Sequence, residues 1–168
     1  MYKHTSNNCY PEISMHDSVA FSIYYENSDL VFHTHGFTLS KDLHKNSTVE
    51  FLLTDDAEFR LKNADPWGLY VRKLSNFRVA KGIALRRWKY LSNEVFFENV
   101  ISGKWIFEFV DEYYSSNKYQ GFRSAIFCGN IISGEKPPYR YTETQIEVKE
   151  YKESQYSWSN TIQDDLPF

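Results

Sequence analysis

Two runs of alternating side chains, residues 105–114 and 122–131, constrain this chain more than any other feature. In the first, Trp105, Phe107 and Phe109 share one face and Ile106, Glu108 and Val110 the other, because successive strand side chains point to opposite sides of a sheet. Such runs predict half-buried strands, and the polar turn between them predicts a hairpin. The first run ends in Asp111-Glu112-Tyr113-Tyr114, where acid and phenol stand side by side.

The same pattern recurs along the chain. Residues 17–25 alternate, with Val19, Phe21 and Ile23 expected on one face; Glu26-Asn27-Ser28-Asp29 reads as a turn, and 30–35 as the return strand. Further strands are expected at 48–54, around Ala57, Phe59 and Leu61, at 67–74, and at 77–80 and 83–90 on either side of Lys81-Gly82. Residues 139–151 place Tyr141, Glu143, Gln145, Glu147 and Lys149 opposite Thr142, Thr144, Ile146 and Val148, and Tyr156 and Trp158 mark a last short strand. One helix is expected at 92–102: Ser92 or Asn93 caps it, Glu94 suits its first turn, and Gly103 ends it. Residues 40–47 read as a helical turn or loop.

No βαβ alternation and no fixed-period repeat is present, so a parallel doubly wound sheet and a propeller are disfavoured. The expected class is α+β, predominantly β: antiparallel sheets forming a sandwich or partial barrel, with one helix over an end or edge. A chain of 168 residues is expected to form a single domain, 1–168, with an extended lead-in at 1–15 and a polar tail at 161–168.

A net charge of −3 gives no general attraction to a phosphate backbone, which argues against direct nucleic-acid binding. The basic stretch Arg86-Arg87-Trp88-Lys89 would alternate its charges between two faces. Tyr and Phe number 13 each, more rings than one core needs; the surplus tyrosines are expected at the surface, where they carry binding energy. Cys9 and Cys128 lie far apart, with neither metal-ligand nor redox spacing, and Cys128 reads as a small core residue. The first residues lack the apolar centre of a signal peptide, and no apolar run reaches ~18 residues. A soluble cytoplasmic protein, not associated with membrane, is the expectation.

His33-Thr34-His35 puts two imidazoles on one strand face, a geometry that can chelate a metal. Further ligands would have to come from His16, Asp17 or His44. The bland alternative is two histidines on a polar face. No glycine-rich phosphate loop or Gly-x-Ser-x-Gly elbow occurs. The carboxylate pairs Asp55/Asp56, Asp111/Glu112 and Asp164/Asp165 are adjacent, so on a strand they diverge. The residues thus point to a binding protein that is not an enzyme and needs no cofactor. Two alternatives stand beside it: a barrel or sandwich holding a small ligand, and a metal-dependent enzyme using His33 and His35.

The stretch Met15-His16-Asp17-Ser18-Val19-Ala20-Phe21-Ser22-Ile23, continued by Tyr25-Glu26-Asn27-Ser28-Asp29-Leu30-Val31-Phe32, resembles small bacterial immunity proteins of contact-dependent or polymorphic toxin systems. Residues 103–114 and Phe127-Cys128-Gly129 are similar to the same group. About half the chain is touched, through alternating strands with a few set polar positions. The resemblance implies an immunity protein that binds and neutralises a cognate bacterial toxin domain, expected to be a nuclease, by blocking its active or substrate-binding surface. An acidic inhibitor would complement a basic nuclease. The residues expected to meet the toxin are Asp111, Glu112, Tyr113 and Tyr114, then Glu143, Glu147, Glu150 and Tyr151.

Overall fold

A computed structural model describes residues 2–40, 51–80, 83–117, 121–134 and 137–162. Among these residues the chain forms fourteen strands and one α-helix. The strands are β1 (His4–Asn7), β2 (Ile13–Ser14), β3 (Val19–Glu26), β4 (Asp29–His35), β5 (Thr38–Ser40), β6 (Phe51–Thr54) and β7 (Asp56–Lys62), followed by β8 (Leu69–Ala80) and β9 (Ile83–Leu91). The helix α1 (Asn93–Ile101) precedes β10 (Trp105–Asn117), β11 (Phe122–Ser133), β12 (Arg140–Tyr151), β13 (Glu153–Trp158) and β14 (Thr161–Ile162). The readings at 41–47, Lys81-Gly82, His44 and Asp164/Asp165 lie outside the described residues.

Ten strands form one antiparallel sheet in the order β1-β13-β7-β4-β3-β10-β11-β12-β8-β9, and β14-β6-β5-β2 form a small second sheet. The fold is α+β, predominantly β. The large sheet curls without closing into a barrel. Its curl is visible in contacts between strands four places apart: the Phe59 ring on β7 meets Phe127 on β11 at 5.7 Å, and the Tyr114 hydroxyl on β10 meets that of Tyr156 on β13 at 3.1 Å. Rings fill the concave side, with Phe32 against Phe59, Phe109 and Phe127. The small sheet adds Ile13 and Leu39 to this core, beside Met15 and Phe37, and α1 adds Phe96 and Val100.

The expected helix is present. Ser92 precedes it but makes no side-chain cap bond, and Gly103, at φ +72°, takes the left-handed stop. The lead-in at 1–15 is extended at β1, which pairs along β13 from His4↔Trp158 to Asn7↔Gln155, and it enters the core at Ile13 and Met15, both fully buried. One expectation needs correction. Residues 67–80 are not two strands: Trp67 stands on a 3-10 turn and one long strand follows. Part of the tail, β14, pairs with β6.

Four β-bulges break the simple alternation. On β3 the register steps from Ala20↔Thr34 to Ser22↔His33, so Phe21 is the extra residue. Ala20 and Ile23 therefore both face the core, while Phe21 turns outward. On β10 it steps from Phe109↔Gly129 to Asp111↔Cys128. On β12 three residues, 149–151, answer the two-residue step from Ala125 to Arg123. The fourth lies on β8 between Arg78 and Ala80. Each extra residue swaps the faces of everything beyond it.

Candidate functional site

The face of the large sheet turned away from the core carries several of the exposed aromatic and charged residues. Pairings across β10, β11, β12, β8 and β9 place side chains in rows. Asp111 lies beside Cys128, Cys128 beside Gln145, Gln145 beside Arg72, and Arg72 beside Tyr90. A neighbouring row runs from Tyr113 through Ile126 and Glu147 to Tyr70. Since strand side chains repeat every two residues, Glu108, Tyr141, Glu143, Leu74, Arg86 and Trp88 share this face.

Rings on it are open to solvent: Tyr113 is 57% exposed, Tyr141 62%, Trp88 46% and Tyr90 72%. Charges between them are mostly paired. Arg86 Nη2 bonds the Glu143 carboxylate, and Arg72 Nη2 lies 3.3 Å from Glu147 Oε2. Lys149 Nζ stands 4.5 Å over the Tyr70 ring, a cation–π contact. Asn130 Nδ2 donates to Glu108 Oε2 at 3.0 Å. The β10 end of the face is its acidic end, where Glu108 and Asp111 flank exposed Val110. Leu74, Arg86, Asn130 and Tyr141 border a shallow depression of about 260 Å³ between β8 and β12.

Of the eight residues expected to meet a partner, Asp111, Tyr113, Glu143 and Glu147 come together on this face. Glu150 is exposed at the β12 bulge, and its carbonyl accepts the Asp65 N–H at 3.0 Å. The other three are corrections. Glu112 is only 6% exposed; its Oε1 accepts the Met15 N–H at 2.7 Å and the Ser14 hydroxyl at 2.8 Å. The Tyr114 hydroxyl donates to Glu112 Oε2 at 2.7 Å. Burial pushes the Glu112 carboxyl above its ordinary range, against these hydrogen bonds. Tyr114 points inward with it, and burial holds its hydroxyl far above a normal phenol. Tyr151 is buried too, its hydroxyl pushed up to about 12 by loss of solvent. The bulges on β10 and β12 cause all three reversals.

Cys128 also departs from expectation. It lies on the outer face, with Gln145 Nε2 3.7 Å from its sulfur, because Phe127 is the residue of that strand turned to the core. His33 and His35 do share a face, but they are held apart by different partners. His33 Nε2 meets the Tyr24 hydroxyl at 2.8 Å and its Nδ1 meets that of Tyr2 at 3.4 Å. His35 Nδ1 meets Asp56 at 3.3 Å, and its ring lies 4.7 Å from Phe21. Among the described residues, no three His, Cys, Asp or Glu side chains gather in metal-binding geometry. Around the histidines lies a charge network instead, with Arg60 bonded to Glu26 at 2.8 Å and to Glu58 at 2.9 Å.

The chain alone did not point to Tyr70, Trp88, Tyr90 or Tyr141 as members of one surface. Their alternation with charged residues is legible, but the β8–β12 pairing that brings them together joins segments some 75 residues apart. Comparison with known proteins finds no matching family model, no matching curated protein and no matching solved structure. No helix among the described residues is long and apolar enough to cross a membrane.

Proposed function

We propose that this chain is an immunity protein that binds a cognate bacterial toxin domain, a basic nuclease in the simplest case, and neutralises it by covering its active or substrate-binding surface. The observation that supports this reading is the set of exposed rings, Tyr113, Tyr141, Trp88 and Tyr90, spread among charges on one sheet face. Tyrosine and tryptophan supply large contact area at small entropic cost, and charges around them set association rate and register. The acidic β10 end, Glu108 with Asp111, complements a basic partner.

The test is a pull-down with the product of the adjacent upstream gene, expressed as a catalytically disabled fragment. A tight 1:1 complex is expected. Reversal of charge by Asp111→Lys with Glu108→Lys should slow association and reduce its salt dependence. Tyr113→Ala should weaken binding by ~2 kcal/mol if it anchors the centre. A complex indifferent to all three changes keeps the inhibitor and discards this face. Absence of any complex rejects the assignment of that partner.

A further inference from the structure

The concave side of the sheet is apolar along most of β11, where Ala125, Phe127 and Ile131 face the core. The next position in that row, at the mouth of the curl, is Arg123. It is half-buried, and its neighbours across the strands are Ser116 on β10 and Tyr151 on β12. Among the described residues its side chain has neither a carboxylate partner nor a hydrogen bond. The other partly buried arginines, Arg60 and Arg72, each bond carboxylates. The Arg123 guanidinium N–H donors are therefore available to an incoming anion.

Around Arg123 lies an open pocket of about 230 Å³, bordered also by Asn8, Tyr10, Tyr114, Ser116 and Ser154. Its floor is preorganised. Asn8 Oδ1 accepts the Ser154 N–H at 3.0 Å, which turns the amide NH2 the other way as a donor without an acceptor among the described residues. The Tyr10 ring meets Tyr114 at 4.7 Å, tilted against it, and walls one side. Beneath, the Tyr114 hydroxyl is already committed to Glu112 and Tyr156, so the buried carboxylate is screened from the pocket by the tyrosine it binds. The volume falls below the ~300–1,000 Å³ usual for drug-sized ligands.

We propose that this mouth binds a small oxyanion, a phosphate ester or a carboxylate, gripped by the Arg123 guanidinium with Asn8 and Ser116 donating beside it. Arginine presents a planar fork of N–H donors that matches either group in a bidentate fashion. The site lies on the opposite side of the sheet from the aromatic face and does not rest on the toxin-binding reading.

Calorimetric titration of the whole chain with inorganic phosphate, and separately with acetate, at constant ionic strength tests it. Saturable 1:1 binding is expected, weakened at least about tenfold by Arg123→Met, which keeps the stem but removes the charged donors. Arg123→Lys should retain part of the affinity, since it keeps the charge but not the fork. Preference for phosphate identifies a phosphate ester as the class; equal or better binding of acetate identifies a carboxylate. Should Arg123→Met fail to fold by circular dichroism, Ser116→Ala carries the test, with a loss of about two- to tenfold. A folded wild-type chain that binds neither probe saturably overturns the proposal. So does binding undiminished by Arg123→Met, or by Ser116→Ala where that variant is the one tested.

Discussion

Glu112 shows what a buried acid does when hydrogen bonds, and no ion pair among the described residues, answer it. Two of its three hydrogen bonds tie β10 to the β2 segment and the third stays within β10, yet desolvation dominates and raises its pKa in the fold above the ordinary 4.5. The folded state therefore holds a proton more tightly than the unfolded chain. That contribution to stability is fully present below the unfolded pKa and is lost as pH rises through the folded value. Glu112→Gln keeps an acceptor for Met15 and a donor toward Tyr114 without a charge. Its stability relative to wild type should thus improve from pH 4 to pH 7, read as urea midpoints; a constant difference would reject the assignment. Glu112→Ala should cost ~1–3 kcal/mol at either pH, because it orphans the buried Met15 N–H. Gly129 is as constrained for a steric reason. It faces Phe109 at the β10 bulge, and an added Cβ would run into the Glu108 carbonyl oxygen and stand 2.8 Å from Phe107 Cζ. Gly129→Ala should lower stability by ~1–3 kcal/mol, as overpacking does, in the same urea experiment.

Strands are the elements where alternation succeeds and then slips. Along β7, Ala57, Phe59 and Leu61 all enter the core as their spacing predicts. Along β10 the prediction holds up to Phe109 and inverts past Val110. No local residue type announces that extra residue; the bulge exists because β10 must match Gly129 on one partner strand while Asp17 donates its N–H to the Phe109 carbonyl at 3.0 Å. The β8–β9 hairpin is an element of a different kind. Residues 85–90 of β9 are exposed on both faces, so the strand's outer end has backbone pairing with β8 but little apolar cover. Arg and Lys on such an edge discourage further strand pairing. Local opening there should cost less than global unfolding. Hydrogen exchange read by mass spectrometry should show amides of 85–90 exchanging well before those of 125–131 in β11; equal protection would mean the arm is held by something else.

At the scale of the molecule, one ring joins the two wings of the curled sheet. Phe127 touches Phe32 at 5.5 Å, Phe59 at 5.7 Å, Phe109 at 5.6 Å and Tyr114 at 6.0 Å. Phe127→Ala should cost ~3–5 kcal/mol, the range for emptying a buried aromatic site, and the loss should appear as one cooperative transition, because both wings share the cavity. The strand-rich class, the helix after β9, the hairpins β3–β4 and β10–β11 and most core rings were legible from the chain, since period-two alternation and a glycine stop are local properties. So was the acidic and aromatic character of a surface. Its membership was not: Asp111, Tyr113, Glu143 and Glu147 meet on one face, while Glu112, Tyr114 and Tyr151 turn inward. Sequence by itself determined which residues are fit for core or surface, because hydrophobicity and strand period act within a few residues. Only the tertiary structure decided which face each one took, because a bulge is set by the register against partner strands distant in the chain, and one extra residue reverses every side chain beyond it.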